Sequence, residues 1–186
     1  MPMSWILGVV VVLAAYGAFL YNSLVKTRQM VRESWSGIDT ELKRRYDLVP
    51  NLTETVKAYA AHEKEVLEHV TSARARAAAS SGDPGSQARD ENDLVQGLQR
   101  LLAVAEAYPD LKASRHFLEL QSELSNTEDR IQAARRFFNA NVRDLNTKVE
   151  AFPTNLVASV FGFEKESFFE VQEAVVRKVV DVSFPD

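Results

Sequence analysis

Apolar residues run almost unbroken at the start of the chain and then become spaced, and this change divides it in two. From Trp5 to Val25 the sequence reads WILGVVVVLAAYGAFLYNSLV, with no charged side chain. Its 21 residues make about 31 Å of helix, the thickness of the hydrocarbon layer. Trp5 and Tyr21 stand where interfacial aromatic anchors belong. A cleaved signal peptide would open with a basic region and carry a shorter apolar core and a small-x-small cleavage site. Nothing basic precedes this run except the α-amine, so the pattern predicts a retained transmembrane anchor within residues 1–25, contacting the lipid bilayer through residues 5–25.

Beyond the anchor the apolar positions take helical spacing. Leu24, Val31, Trp35, Ile38, Leu42 and Tyr46 step by three, four or seven along one face. YDLVPNL then carries Pro50, which lacks an N–H and disfavours helical geometry at Val49, so a kink or tight turn opening a second helix is expected there. A second helix follows from about Pro50 to Ala79, with Leu52, Val56, Tyr59, Val66, Val70, Ala73 and Ala77 inward. SSGDPGS, residues 80–86, reads as a flexible loop. A third helix covers roughly Gln87 to Ala107, and YPDLKAS interrupts the pattern. The fourth stripe is the longest: Phe117, Leu120, Leu124, Thr127, Ile131, Ala134, Phe138, Val142, Leu145, Val149 and Phe152. FPTNLVASVFGF predicts a short helix folded back on the body, and the β-branched tail from about residue 168 reads as extended.

One amphipathic helix cannot bury its stripe alone, whereas four of similar length can. The expected fold is therefore all-α: an N-terminal transmembrane helix leading into an antiparallel, coiled-coil-like four-helix bundle over residues 26–186, with a short C-terminal appendage.

Composition narrows the partners. The chain has 46% hydrophobic and 26% charged residues, which argues against global disorder, and a net charge of −4 without a basic stripe, which argues against nucleic acid. It contains no cysteine, so disulfides, thiol catalysis, Cys-ligated zinc and lipoprotein acylation are excluded. Lys26, Arg28, Arg32, Lys43, Arg44 and Arg45 follow the span, and no basic side chain precedes it. The positive-inside rule then predicts a cell (inner) membrane protein with its N-terminus outside and its body in the cytoplasm.

Catalytic patterns are missing. A di-iron bundle needs Glu-x-x-His, but Tyr59, Val66 and Ala113 stand three before His62, His69 and His116. His62-Glu63 starts a zinc-protease pattern that fails at Val66. Glu65 and His69 lie four apart, a spacing common to solvated pairs. There is no phosphate loop and no G-x-S-x-G. No metal, cofactor or catalytic residue is expected, and the chain reads as non-enzymatic.

Two groups remain. Arg45, Asp47 and Asn51 bracket Pro50, while Glu128, Arg135, Asn139 and Asn146 lie on or beside the seam of the fourth helix. They read either as cross-helix pairs fixing register or as a ligand-binding or partner-docking cluster. Phe152, Phe161 and Phe163, with Phe168 and Phe169 close behind, read either as core or as a patch facing a partner or a membrane.

YNSLVKTRQMV after the span, WSGIDTELKRRYDLVPNLTETVKAYAAHE, YPDLKAS and FLELQSELSNTEDRIQAARRFFNANVRDLNTKVEAFPTNLVASVFGF together resemble the LemA family of bacterial membrane-anchored helical proteins. The resemblance covers about Tyr21 to Phe163, with RYDLVPNL, TEDRI and FPTNLVA in the family's order. Phe138 and Leu145 stand where the family usually shows Tyr, and Leu20 where some members carry a lipobox cysteine. The resemblance implies an N-out single-pass anchor and a cytoplasmic four-helix bundle. It implies no established reaction, only an accessory role beside membrane proteases and envelope-stress proteins. The expected function is a membrane-tethered interaction or scaffold module for a protein partner whose identity and stoichiometry the residues do not name. The alternative is a small-ligand or signal-sensing domain built on Arg45, Asp47 and Asn51.

Overall fold

The computed structural model describes residues 2–80 and 83–171. Every element in them is helical: α1 (Pro2–Tyr59), α2 (Lys64–Ala79), α3 (Pro84–Glu106), α4 (Pro109–Lys112), α5 (Arg115–Glu150) and α6 (Thr154–Phe161). They fall into two compact units. One comprises the chain up to Ile38 together with Ala134–Phe168, and the other Asp39–Ala133 with the segment beginning at Phe169.

In the first unit, α1 presents a long unburied apolar stretch. Trp5, Ile6, Leu7, Val9 to Leu13, Tyr16 and Phe19 are all exposed, and the helix is apolar and long enough there to cross a membrane. Burial begins at Leu24 and continues through Thr27, Val31, Ser34 and Ile38, the predicted stripe with two hydroxyls added. The hydroxyls of Thr27 and Ser34 donate to the Ser23 and Val31 carbonyls, so neither is left bare. α5 runs antiparallel beside it. Trp35 packs on Phe138 with ring centroids 5.2 Å apart, Asn141 Nδ2 donates to the Met30 carbonyl at 3.4 Å, and Lys148 Nζ donates to Thr27 Oγ1 at 2.6 Å.

The second unit corrects the expected tight turn at Pro50, because α1 continues through the proline to Tyr59. A proline inside a helix removes one hydrogen bond and costs about 3 kcal/mol. Two features offset it. Val49, Leu52, Val56 and Ala60 extend the buried stripe of Leu42 and Tyr46, so stopping the helix would forfeit that burial. The carbonyl that an N–H at position 50 would have satisfied is that of Tyr46, and Arg74 Nε donates to it at 2.6 Å. The chain turns instead at residues 60–63, where Glu63 N–H donates to the Ala60 carbonyl at 3.1 Å. The expected helix from Pro50 to Ala79 is thus the end of α1 plus the shorter α2, and Tyr59, expected inside, is exposed while Ala60 is buried.

α3 starts at Pro84, inside the stretch read as a loop over 80–86. Asp83 caps it by accepting from the Gly85 and Ser86 N–H groups, and proline at the first helical position is preorganised for that role. Ser81 and Gly82 lie outside the described residues. α2 and α3 approach closely at Gly97, where an added Cβ would come within 3.0 Å of His69 Nδ1 and 3.2 Å of Val70. α5 ends at Glu150, so Phe152 lies beyond the helix and is exposed rather than the last residue of its stripe. The predicted short helix is present as α6. Most of the predicted extended tail lies outside the described residues; Phe169 and Val171, at its start, are buried in the second unit.

Arg74→Ala should lower the stability of the detergent-solubilised full chain by about 1–3 kcal/mol, the cost of an unsatisfied buried carbonyl. Pro50→Ala restores the helical N–H and should shrink that loss in the double variant. Equal losses in both backgrounds, measured by thermal or denaturant melting, would disconnect Arg74 from the proline.

Candidate functional site: an arginine buried between two carboxylates

Arg45 sits on the inner stripe of α1, between Leu42 and Val49, and its side chain is completely buried. A guanidinium does not lose its proton in a protein, so a site that buries it must supply anions. α5 supplies Glu128, whose Oε1 and Oε2 accept from Arg45 Nη1 at 2.8 and 3.1 Å. α3 supplies Glu91, which accepts from Nη2. Burial works against the cation, and the carboxylates of Glu128 and Glu91 more than offset it, so the arginine is held above its ordinary value. The Nε–H has no acceptor among the described residues.

Tyr46, the next residue, donates its hydroxyl to the other oxygen of Glu91, with the Ala77 carbonyl of α2 at 3.3 Å. Its single proton goes to the carboxylate, the stronger acceptor. Burial and the Glu91 charge both push the phenol upward, so it stays a neutral donor through the physiological range. The network therefore reaches α1, α2, α3 and α5 within the second unit. Its carboxylates are occupied by an arginine and a phenol, an arrangement suited to fixing the register of the helices.

The candidate cluster read from the sequence separates. Arg45 and Glu128 are brought together. Asp47 and Asn51 are exposed and do not join them. Asp47 lines two open polar clefts, one of about 340 Å³ beside Lys43, Tyr46 and Arg74 and one of about 440 Å³ beside Arg44 and Arg130. Arg135, Asn139 and Asn146 are half-buried in the first unit. There Asn146 clamps the chain after α6, donating to the Glu166 carbonyl at 3.0 Å and accepting from the Glu166 N–H at 2.9 Å. The aromatic group separates too, since Phe152 and Phe161 are exposed and Phe163 is buried.

Sequence reasoning missed Glu91, although the signal was present. Gln87 and Glu91 continue the stripe of Leu94, Leu98 and Leu101 backwards along α3, and both are buried. His69, considered with Glu65, instead lies 3.2 Å from Asp93 on α3, a carboxylate that Arg76 also engages. Among the described residues no group of three or more His, Cys, Asp or Glu is placed to hold a metal ion.

The model of the LemA family matches residues 34–184. The chain is similar to protein LemA of Metamycoplasma hominis, 29% identical over 164 residues that cover 87% of this chain and 74% of that one. It is also similar to the magnetosome protein MamQ 2 of Paramagnetospirillum magneticum and MamQ of Magnetospirillum gryphiswaldense, at 25% and 23% identity over 179 residues. Those alignments cover 83% of this chain and 66% of the magnetosome proteins, just under two thirds of their length.

Arg45→Ala strands two buried carboxylates and should cost about 3–5 kcal/mol, whereas replacing Arg45, Glu91 and Glu128 together by Met and Leu should restore much of the melting temperature. A small loss for Arg45→Ala alone would show that the network is not holding the helices. Tyr46 adds a pH signature. Its folded value lies above the ordinary 10.0, so its contribution is intact below about pH 10 and is lost as pH rises toward the folded value. Melting temperatures from pH 8 to 11 should fall more steeply for the parent than for Tyr46→Phe; parallel curves would refute the assignment.

Proposed function

The chain belongs to the LemA family, and on that premise we propose that it is a membrane-tethered, non-enzymatic helical scaffold that docks a protein partner in an accessory role at the cell envelope. The observation that carries this reading is α1 itself: one unbroken helix whose apolar start is unburied by the protein and whose later turns are packed core. An anchor that continues as a core helix joins the body to its membrane attachment without an intervening linker, as suits a scaffold. The body is an antiparallel four-helix bundle made by the latter part of α1 with α2, α3 and the first part of α5; the Arg45 network, which reaches all four, supports that architecture. Relatives bearing the names of LemA and of magnetosome proteins support a common framework serving different settings.

The N-terminus faces outward and the body lies in the cytoplasm at the inner membrane, a reading supported by the six basic residues from Lys26 to Arg45. A second reading, a sensor for a small polar ligand, draws on Asp47 and its cleft beside Lys43 and Arg74. Arg45 itself is already consumed by its carboxylates.

A periplasm-dependent phosphatase fused after Asp186 should be inactive and a fluorescent protein at the same place bright; the reverse pattern overturns the orientation. Photo-crosslinking from exposed body positions in native membranes should capture a defined protein. If Asp47→Ala and Lys43→Ala abolish a phenotype while crosslinking and melting are unchanged, the sensor reading replaces the scaffold.

A further inference from the structure

We propose that α6 lies in the membrane interface beside the spanning part of α1, with the face formed by Phe152, Leu156, Val160 and Phe161 immersed at the boundary between headgroups and acyl chains. In water this face is anomalous. Leu156 is 57% exposed, Val160 77%, Phe161 58% and Phe152, just before the helix, 79%. Four large apolar side chains within ten residues are left outside the protein, although the helix that carries most of them is well held.

The hold comes from the other side. Ala158 is buried against the first unit, and the helix ends in a left-handed turn at Gly162, with φ +68°, where the Phe163 N–H donates to the Ala158 carbonyl at 2.9 Å. That closure suits glycine, because a left-handed backbone strains residues with a Cβ. It sends Phe163 inward, where Arg28 lies 4.6 Å from its ring centroid. Asn146 then clamps the backbone of Glu166 from both sides. The apolar face is therefore fixed in place by its own unit rather than loosely displayed.

The occupant follows from where it is fixed. Phe161 and Phe163 both pack on Tyr21, with ring centroids at 4.7 and 5.8 Å. Tyr21 stands one turn before Val25, where the uncharged run of α1 gives way to Lys26 and Arg28. α6 thus sits at the level where a spanning helix passes from hydrocarbon to headgroups, the depth at which aromatic residues concentrate and in-plane amphipathic helices lie. Apolar burial drives this contact, not lipid charge: nearby Lys165 is already paired with Glu150, and Glu164 and Glu166 are exposed.

The inference rests on α1 crossing the bilayer, and the test separates failure of one from failure of the other. The chain has no cysteine, so single substitutions Leu156→Cys, Val160→Cys, Glu164→Cys and Val11→Cys each give one site for a polarity-sensitive fluorophore. The full chain is reconstituted in phosphatidylcholine vesicles, and each label is challenged with aqueous iodide and with nitroxide-bearing lipid. Labels at 156 and 160 should be quenched by the lipid nitroxide and shielded from iodide several-fold relative to 164, with the label at 11 deeper still. Iodide access at 160 equal to that at 164, with the label at 11 quenched by lipid, overturns the interface placement alone; failure of the label at 11 overturns the span beneath it. Shielding at 160 that grows with protein density and shows no lipid quenching assigns the face to a second copy and likewise overturns the proposal.

Discussion

A buried guanidinium cannot be neutralised by losing its proton, and that constraint organises the second unit. Arg45 has no exposure, so the helices around it must bring carboxylates to within hydrogen-bond reach. Glu91 and Glu128 come from α3 and α5, and Tyr46 extends the set toward α2. Such a network adds little net stability compared with apolar residues of equal volume, because desolvation cancels most of the Coulombic gain. Its effect is on the alternatives. A slip of one turn between α1 and α3 or α5 would leave a cation and two anions buried apart, which excludes registers that a plain Leu and Ala stripe would tolerate.

Tyr46 links this network to a second defect. Its hydroxyl serves Glu91, and its carbonyl, orphaned by Pro50, is served by Arg74. Tyr46 therefore stands at two deficits, giving a donor to the buried Glu91 carboxylate and receiving from Arg74 the donor that its own carbonyl lacks. This explains why the helix periods were legible from the sequence while the break was misplaced. A proline weakens a helix locally, but a continuous buried stripe and a donor from another helix outweigh it. The turn actually used, at Ala60-Ala61-His62-Glu63, contains neither glycine nor proline and carries no local signal of its position.

The site was legible in proportion to how far helical geometry was applied. Arg45 and Glu128 were recoverable because each is a polar residue on an otherwise apolar seam. Asp47 is only two residues from Arg45, but neighbours two apart point to different faces of a helix, and it is exposed. Glu91 lay in line with the α3 stripe, where extending the apolar pattern onto polar residues would have found it. Phe163 was grouped with Phe161 by proximity, and only the left-handed turn at Gly162 sends one inward and leaves the other outside.

The same reasoning orders α1. Up to Phe19 its large apolar side chains are exposed; at Leu24 the buried stripe begins, and the change takes little more than one turn. Within that turn stands Tyr21, the residue on which Phe161 and Phe163 close. Immediately after it, Thr27 accepts from Lys148, and Arg28 lies over Phe163. Cationic groups are therefore drawn against polar and aromatic partners at the one level where an uncharged helix gives way to a charged one. Aromatic rings with cations beside them are what the boundary between hydrocarbon and water stabilises. α6 and the end of α5 thus place beside α1, within the first unit, aromatic and cationic groups whose chemistry matches that boundary.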